Sequence, residues 1–227
     1  MRSSQQVFAR RPPALVRWEQ RRAPVVAEAL RRDVPTGGVA LDVGCGSGAL
    51  ADELTPYFAR VVAVDRSPGR FVGSGPFLVT GDACALPVRS ASVNFVCSYG
   101  VMHHLDLDET LAEVRRVLVP GGLAVLADFV TERPDTRPQV ASHVCAAIRA
   151  FPAYRRDDGL RRALALTTFR LSPGWLAHVR RDVFLTPADF VDSYSRCLPG
   201  ARFGTLGQGM TVTWQRPATT RQTAGTT

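Results

Sequence analysis

The stretch VALDVGCGSGAL, residues Val39–Leu50, joins a short apolar run to a glycine-rich turn. The run VALDV is typical of a buried strand, and the chain becomes apolar again after the turn, as at the start of a helix. Such a turn exposes backbone N–H groups with no side chain in front of them. Because ligands of open α/β sheets bind at the carboxyl ends of the strands, we predict a ligand site here.

Short apolar strands and helices alternate on both sides of this turn. Helices are predicted over residues 14–32, Ala49–Phe58 and Leu107–Leu118, and Pro120-Gly121-Gly122 is expected to end the last of these. The other predicted strands are Arg60–Asp65, Phe77–Asp82, Val93–Tyr99 and Leu123–Phe129. This alternation predicts a parallel sheet that is covered on both faces.

The pattern changes after Thr131. Residues 139–198 are predicted to form several helices separated at proline and glycine residues, and Thr186 followed by Pro187 is a good start for the last helix. Residues 201–216, ARFGTLGQGMTVTWQR, alternate in polarity around a Gly-Gln-Gly turn. They predict a β-hairpin.

The composition is that of a globular protein: 45% of the 227 residues are hydrophobic and 21% are charged. No apolar run has the roughly 18 residues of a transmembrane helix, and the N-terminus lacks the apolar core of a secretory signal, so we expect a cytoplasmic protein. The five cysteines show no CxxC or CxxH spacing. They predict reduced thiols and no metal site.

The net charge is +8, and all 28 basic residues are arginine. The arginine doublets are scattered along the chain, which favours solvated helix faces. The lack of lysine also indicates the codon bias of a GC-rich bacterial genome. Nucleic acid or an acidic carrier protein stays open as an alternative partner.

Two ligand classes fit the glycine turn. Residues 44–49, GCGSGA, satisfy the dinucleotide fingerprint, and Asp65 follows the first glycine by 21 residues, as a ribose-binding acid would. Asp42 favours a different ligand, because its carboxylate would repel a pyrophosphate and attract the ammonium of a bound amino acid. Asp82, at the end of the third predicted strand, is placed to accept a hydrogen bond from an adenine amino group.

Four stretches follow one another between residues 35 and 130: ALDVGCGSG (40–48), VVAVDRS (61–67), TGDACALPVRSASVNFVCSYGVMHHL (80–105) and LAEVRRVLVPGGLAVLADF (111–129). Together they resemble the class I S-adenosylmethionine-dependent methyltransferases, most closely the small-molecule branch that includes the ubiquinone and menaquinone methyltransferases. The resemblance implies a Rossmann-like α/β fold. Its seven-stranded sheet would be mostly parallel, with an antiparallel terminal hairpin and a helical lid insertion.

The resemblance also implies how the cofactor S-adenosylmethionine is held. The residues implied for its methionine part are Asp42, Gly44, Cys45, Gly46 and Tyr99. Those implied for its ribose and adenine are Asp65, Arg66, Asp82 and Ala83. Asp65 would bind both ribose hydroxyls, and Arg66 would flank the adenine. One departure from the family lies between Asp65 and Asp82, where a helix of several turns is replaced by a short segment broken by glycine and proline.

Candidates for catalysis and substrate binding follow the fourth and fifth strands and lie in the insertion. A hydroxyl acceptor generally needs a base within hydrogen-bond reach, and His103 and His104 are the candidates. The family resemblance also implies a structural role for His104, since histidine stands there irrespective of the substrate. Asp128, His143 and Tyr154 are expected to contact the substrate. His178 is interpreted as a residue of a helix face.

We therefore predict one methyltransferase domain over residues 1–216, which modifies an O, N or C atom of a small molecule in bacterial secondary metabolism. Its predicted parts are a helical N-terminal cap (1–35), a cofactor core (36–130), a helical substrate lid (131–185), a final helix with the hairpin (186–216), and a disordered tail (217–227). The alternatives are cyclisation or aminocarboxypropyl transfer with the same cofactor, tRNA methylation, and an inactive cofactor-binding module. A small-molecule partner is expected and no membrane partner, and a homodimer is left open.

Overall fold

Seven strands form one mixed sheet in the computed structural model, which describes residues 13–67, 71, 74–132, 136–207 and 209–218. The strands are β1 Val39–Val43, β2 Arg60–Asp65, β3 Phe77–Thr80, β4 Val93–Tyr99, β5 Leu118–Phe129, β6 Arg202–Leu206 and β7 Gly209–Gln215. The predicted bounds of β1, β2 and β4 agree with these.

Helices lie before, between and after the strands. They are α1 Pro13–Arg31, α2 Ala49–Leu54, α3 Leu107–Val117, α4 Thr136–Arg149, α5 Phe151–Asp158, α6 Leu160–Arg170, α7 Pro173–Val179 and α8 Pro187–Cys197. A short 3₁₀ turn, Met102–His104, follows β4. Among the described residues, no helix is both long enough and apolar enough to span a membrane.

The strand order is β3-β2-β1-β4-β5-β7-β6. The first five strands run parallel, and β7 lies antiparallel to both β5 and β6. The order reverses between β1 and β4, and the carboxyl edge at such a switch point is where α/β sheets bind ligands. These observations confirm the predicted fold class.

Alternating side chains of β1 enter two apolar layers, one on each face of the sheet. Leu41 packs in the layer that contains α3 and α8, and Ala40 packs in the layer that contains α1 and α2. Both side chains are fully buried. Because side chains of a strand alternate between faces, Asp42 shares the face of Ala40 and lies under α1 and α2.

Three predicted boundaries were wrong by two residues or more. β3 ends at Thr80 and not at Asp82. The helix after the glycine turn ends at Leu54 and not at Phe58, because Pro56 has no backbone N–H with which to continue the helical hydrogen bonds. β5 begins at Leu118, five residues earlier than predicted. Its proline-glycine segment bulges and pairs with the end of the hairpin, where the Gly121 N–H donates to the Arg216 carbonyl over 2.9 Å.

Some predictions concern residues that the structure does not describe. Residues 1–12 of the predicted N-terminal cap and residues 219–227 of the predicted tail lie outside the described ranges. The segment between β2 and β3 is described only at residues 66, 67, 71 and 74–76, and these residues contain no helix. The division into cap, core and lid stays a prediction.

Candidate active site

A cavity of about 1850 Å³ opens at the carboxyl edge of the sheet, with walls from the strand ends, α1 and helices α4–α7. Its wall contains all but one of the residues predicted for cofactor, catalysis or substrate. They are Asp42, Gly44, Cys45, Gly46, Asp65, Arg66, Asp82, Ala83, Tyr99, His103, His104, His143 and Tyr154. The exception is Asp128, which is buried behind the wall.

The glycine turn after β1 is held against β2. Gly44 has a φ of +74°, and a Cβ there would lie 2.5 Å from a methyl carbon of Val101, so only glycine fits. The Gly44 N–H donates to the Val64 carbonyl over 2.8 Å, and the Gly46 N–H donates to one carboxylate oxygen of Asp65 over 2.9 Å. The other Asp65 oxygen accepts from the Ser67 N–H over 2.8 Å. Asp65 is therefore fixed beside the bare backbone of the turn.

Asp42 is a buried acid in the cavity wall, with 1% of its surface exposed. Its Oδ2 atom has no hydrogen-bond partner among the described residues. Burial, and to a lesser extent the charge of Asp65, raise the pKa of Asp42 to about 7. A cationic ligand would relieve both effects. The buried acid therefore fits the ammonium or sulfonium of S-adenosylmethionine.

Asp82 and Arg66 pair with each other at the outer end of the cavity. Asp82 also accepts a hydrogen bond from the Cys84 N–H over 3.0 Å, and this bond and Arg66 hold the pKa of Asp82 below its ordinary value. Both side chains are more than a third exposed, so their ion pair contributes little to stability. Either group is able to exchange its partner for an adenine at small cost.

His103 and Asp128 form a buried pair beside the cavity. The imidazole Nδ1 lies 2.7 Å from Asp128 Oδ1, and the His103 N–H donates to Asp128 Oδ2 over 2.6 Å. The Phe129 N–H donates to Oδ1 as well. Because two backbone N–H donors and the imidazole hold this carboxylate, it faces the histidine and not the cavity, contrary to the predicted substrate contact. An ionised Asp128 places the imidazole proton on Nδ1 and leaves a lone pair on Nε2.

The helical insertion and α1 supply the opposite walls. Trp175 Nε1 donates to His143 Nε2 over 3.0 Å, and Arg170 donates to the Tyr154 hydroxyl over 2.6 Å. Burial, and then the neighbouring Arg170, lower the pKa of His143. Arg22 of α1 donates to the Tyr99 hydroxyl over 3.0 Å, so this helix lies across the predicted cofactor position. The sequence carried no sign of this contact.

Sequence reasoning also missed two residues of the lid. His178 was interpreted as a helix-face residue, but its side chain is 93% buried, and it lies in the cavity wall with Asp182. Asp182 Oδ1 lies 3.5 Å from His104 Nδ1 and 3.6 Å from His178 Nε2. Burial raises the pKa of Asp182 to about 6. No local motif joins these residues, which come from separate segments.

The chain is similar in sequence to known methyltransferases. Residues 41–126 match the methyltransferase domain family. An uncharacterized methyltransferase of Mycobacterium leprae is 31% identical over 136 residues, which cover 56% of this chain and 51% of that protein. A demethylmenaquinone methyltransferase of Thermobifida fusca is 34% identical over 108 residues, 43% of this chain and 46% of the relative. The chain spans about half the length of the curated relatives it matches.

Solved structures show the same fold. An S-adenosylmethionine-dependent methyltransferase structure from Thermotoga maritima superposes with a TM-score of 0.59 over 94% of this chain and 99% of its own, at 15% identity. With the family match, this confirms the resemblance to class I S-adenosylmethionine-dependent methyltransferases. The match to the methyltransferase domain family and the relatives that are named as methyltransferases support the predicted enzyme class and its cofactor S-adenosylmethionine.

Proposed function

We propose that the whole protein transfers the methyl group of S-adenosylmethionine to a small molecule bound under the helical lid. The observation that carries the proposal is a single cavity whose wall holds the cofactor residues together with His103. Its volume of about 1850 Å³ exceeds the roughly 300–1,000 Å³ of a pocket for one drug-sized ligand. There is room for a cofactor and an acceptor side by side.

When bound, S-adenosylmethionine supplies an electrophilic methyl group on a sulfonium cation. Asp42 would attract the cationic methionine part, and the turn from Gly44 to Gly46 would approach it with bare backbone. Asp65, fixed by two backbone donors, would accept the ribose hydroxyls with its remaining lone pairs. Asp82 would exchange Arg66 for the adenine amino group.

His103 is proposed as the base that accepts the proton of an acceptor hydroxyl. Asp128 holds its Nδ1, so the Nε2 lone pair is the one open to a substrate. Both side chains are less than a tenth exposed, which keeps water away from the proton transfer. Asp128 acts through the histidine and is a positioning residue. His104, in contrast, packs with its ring centroid 3.8 Å from that of His103.

The acceptor is proposed to be an aromatic or quinone-like hydroxyl compound. Phe129 and Phe184 line the cavity beside His103, with the Phe184 ring centroid 4.7 Å from that of the imidazole. The two phenyl rings meet edge to face at 6.2 Å. Aromatic walls of this kind favour a flat ring. The similarity to a demethylmenaquinone methyltransferase supports a quinone-like ring in the acceptor.

Calorimetric titration with S-adenosylmethionine and S-adenosylhomocysteine tests the cofactor. Both should bind the wild type, NAD should not, and Asp65→Ala should lose binding. Asp33→Ala, an exposed acid outside the cavity, is the matched control. Absence of binding to folded protein would refute the proposal.

Product analysis with a panel of phenols and hydroquinones tests the reaction. Methyl transfer releases S-adenosylhomocysteine. Release of methylthioadenosine would instead indicate aminocarboxypropyl transfer or cyclisation of that arm.

A further inference from the structure

A cluster of histidines and acids joins the lid to the core at the cavity wall. His104 follows β4, whereas His178 ends α7 and Asp182 follows it. The Thr131 N–H donates to the Leu185 carbonyl over 3.0 Å, which fastens the segment after Asp182 to the end of β5. The backbone therefore holds the lid donors opposite His104.

Two donor distances in this cluster are those of ligands around one ion. Asp182 Oδ1 lies 3.5 Å from His104 Nδ1 and 3.6 Å from His178 Nε2. Hydrogen bonds would place these atoms about 2.7–3.2 Å apart. Two donors on a tetrahedral zinc, each about 2.1 Å from the metal, are about 3.4 Å apart. The observed distances match the second arrangement.

The surroundings of Asp182 indicate a cation at the centre of the cluster. Its side chain is 93% buried, and Oδ1 has no hydrogen bond among the described residues. A buried carboxylate oxygen without a partner is costly, and a cation between it and the imidazoles would remove that cost. The His178 side chain is buried to the same extent, so water does not screen the interaction between His178 and Asp182.

We propose that His104, His178 and Asp182 bind a divalent transition-metal ion in the cavity wall. Two imidazole nitrogens and one carboxylate select ions such as Zn²⁺, Co²⁺ or Fe²⁺ over Mg²⁺ and Ca²⁺, which prefer oxygen ligands. The proposed site differs from the sequence prediction of no metal site, which considered cysteine spacing, because its ligands are histidine and aspartate residues that are distant in sequence.

His103 borders the site, and together with His104 and Asp182 it forms a trio of donors close enough to hold an ion. A donor atom of His103 lies within 4.8 Å of those of His104 and Asp182. Its Nδ1 is engaged by Asp128, and its Nε2 is assigned above to the substrate proton. An ion in the cavity wall would therefore sit next to the proposed base, where an acceptor oxygen would complete its coordination.

Co²⁺ binding to tag-free, chelator-treated protein tests the site without any assay of methyl transfer. We expect one Co²⁺ per chain, with visible d–d absorption, displaced by Zn²⁺ and not by Mg²⁺. His178→Ala and Asp182→Asn should each weaken Co²⁺ binding at least about 100-fold. His143→Ala, which removes an insertion histidine outside the cluster, should keep the wild-type affinity.

The proposal fails if folded wild-type protein binds no stoichiometric Co²⁺. It also fails if both ligand variants bind as the wild type does, or if His143→Ala abolishes binding. If the ligand variants do not fold, the site is tested with crystals of the wild type soaked in Zn²⁺. An anomalous peak between the three side chains supports the site, and a soaked crystal without one overturns it. Failure of cofactor binding would leave these readouts unaffected.

Discussion

At the scale of single residues, Asp42 makes the stability of the free protein depend on pH. Burial and Asp65 raise its pKa from 3.8 to about 7. Between these values the unfolded chain binds fewer protons than the folded chain, so the free energy of unfolding falls as pH rises through this window. The shift corresponds to about 4 kcal/mol at most.

Asp42→Asn should therefore stabilise the free protein, and more strongly at pH 8 than at pH 5. The asparagine amide cannot ionise. The variant therefore lacks the cost of ionising residue 42 in the folded protein, which grows from pH 5 to pH 8. Urea unfolding at both pH values measures the gain, with the exposed Asp33→Asn as the control. An equal gain at pH 5 and pH 8 would contradict the raised pKa.

The same residue predicts how cofactor affinity depends on pH. A cationic ligand binds ionised Asp42 more tightly than the protonated acid, so affinity for S-adenosylhomocysteine should rise with pH through about 7, with release of a proton. Titration at pH 6 and pH 8, in buffers of different ionisation heat, measures both quantities. Asp42→Asn should bind more weakly and lose the pH dependence. An affinity that falls with rising pH would mean that the cationic group of the ligand does not bind beside Asp42.

His103 carries the prediction for the chemical step. His103→Ala should lower kcat by about 10²–10⁴ when the acceptor is a hydroxyl, because the proton loses its acceptor. Asp128→Asn should lower kcat with little change in KM for the cofactor, since Asp128 fixes the imidazole and is absent from the cavity wall. Steady-state kinetics on folded variants distinguish the two parameters. Unchanged kcat in His103→Ala would remove it from the mechanism.

At the scale of elements, helix α8 depends on its N-cap. The Thr186 hydroxyl accepts from the Asp189 N–H over 3.1 Å, and the helix buries Phe190 and Tyr194 against the sheet. Thr186→Ala should cost about 1 kcal/mol and lower Tm by about 2–4 °C. Thr186→Ser keeps the hydroxyl and should keep the Tm, as thermal unfolding would show. Equal Tm values for the alanine and serine variants would mean that the cap contributes nothing.

An element was predictable where the local sequence sets its bounds, and not where pairing with distant residues sets them. β1, β2 and β4 lie inside the sheet, and their mainly apolar runs set their bounds, whereas Thr186 with Pro187 sets the start of α8. The early start of β5 was not predictable, because the proline-glycine segment resembles a turn. It pairs there with the backbone of Arg216, which is distant in sequence.

At the scale of the whole molecule, the cofactor half of the site was predictable and the lid half was not. Asp42, Asp65 and Asp82 follow or end neighbouring parallel strands, so the sheet alone brings them to one edge. His178 and Asp182 meet His104 only because the lid folds back over that edge. The turn of Asp128 toward His103 likewise depends on backbone donors that no local pattern shows.

Because the cavity is bounded by the sheet, α1 and the lid together, cofactor binding should stabilise the molecule as a whole. At a concentration one hundred times its Kd, S-adenosylhomocysteine should add about 2.7 kcal/mol to the free energy of unfolding. For a chain of this size, that is a rise in Tm of about 5–11 °C. Thermal unfolding by circular dichroism measures it, with NAD as the ligand control. Asp33→Ala should show the full rise and Asp65→Ala none, whereas an equal rise in both variants would mean that the ligand binds outside the glycine turn.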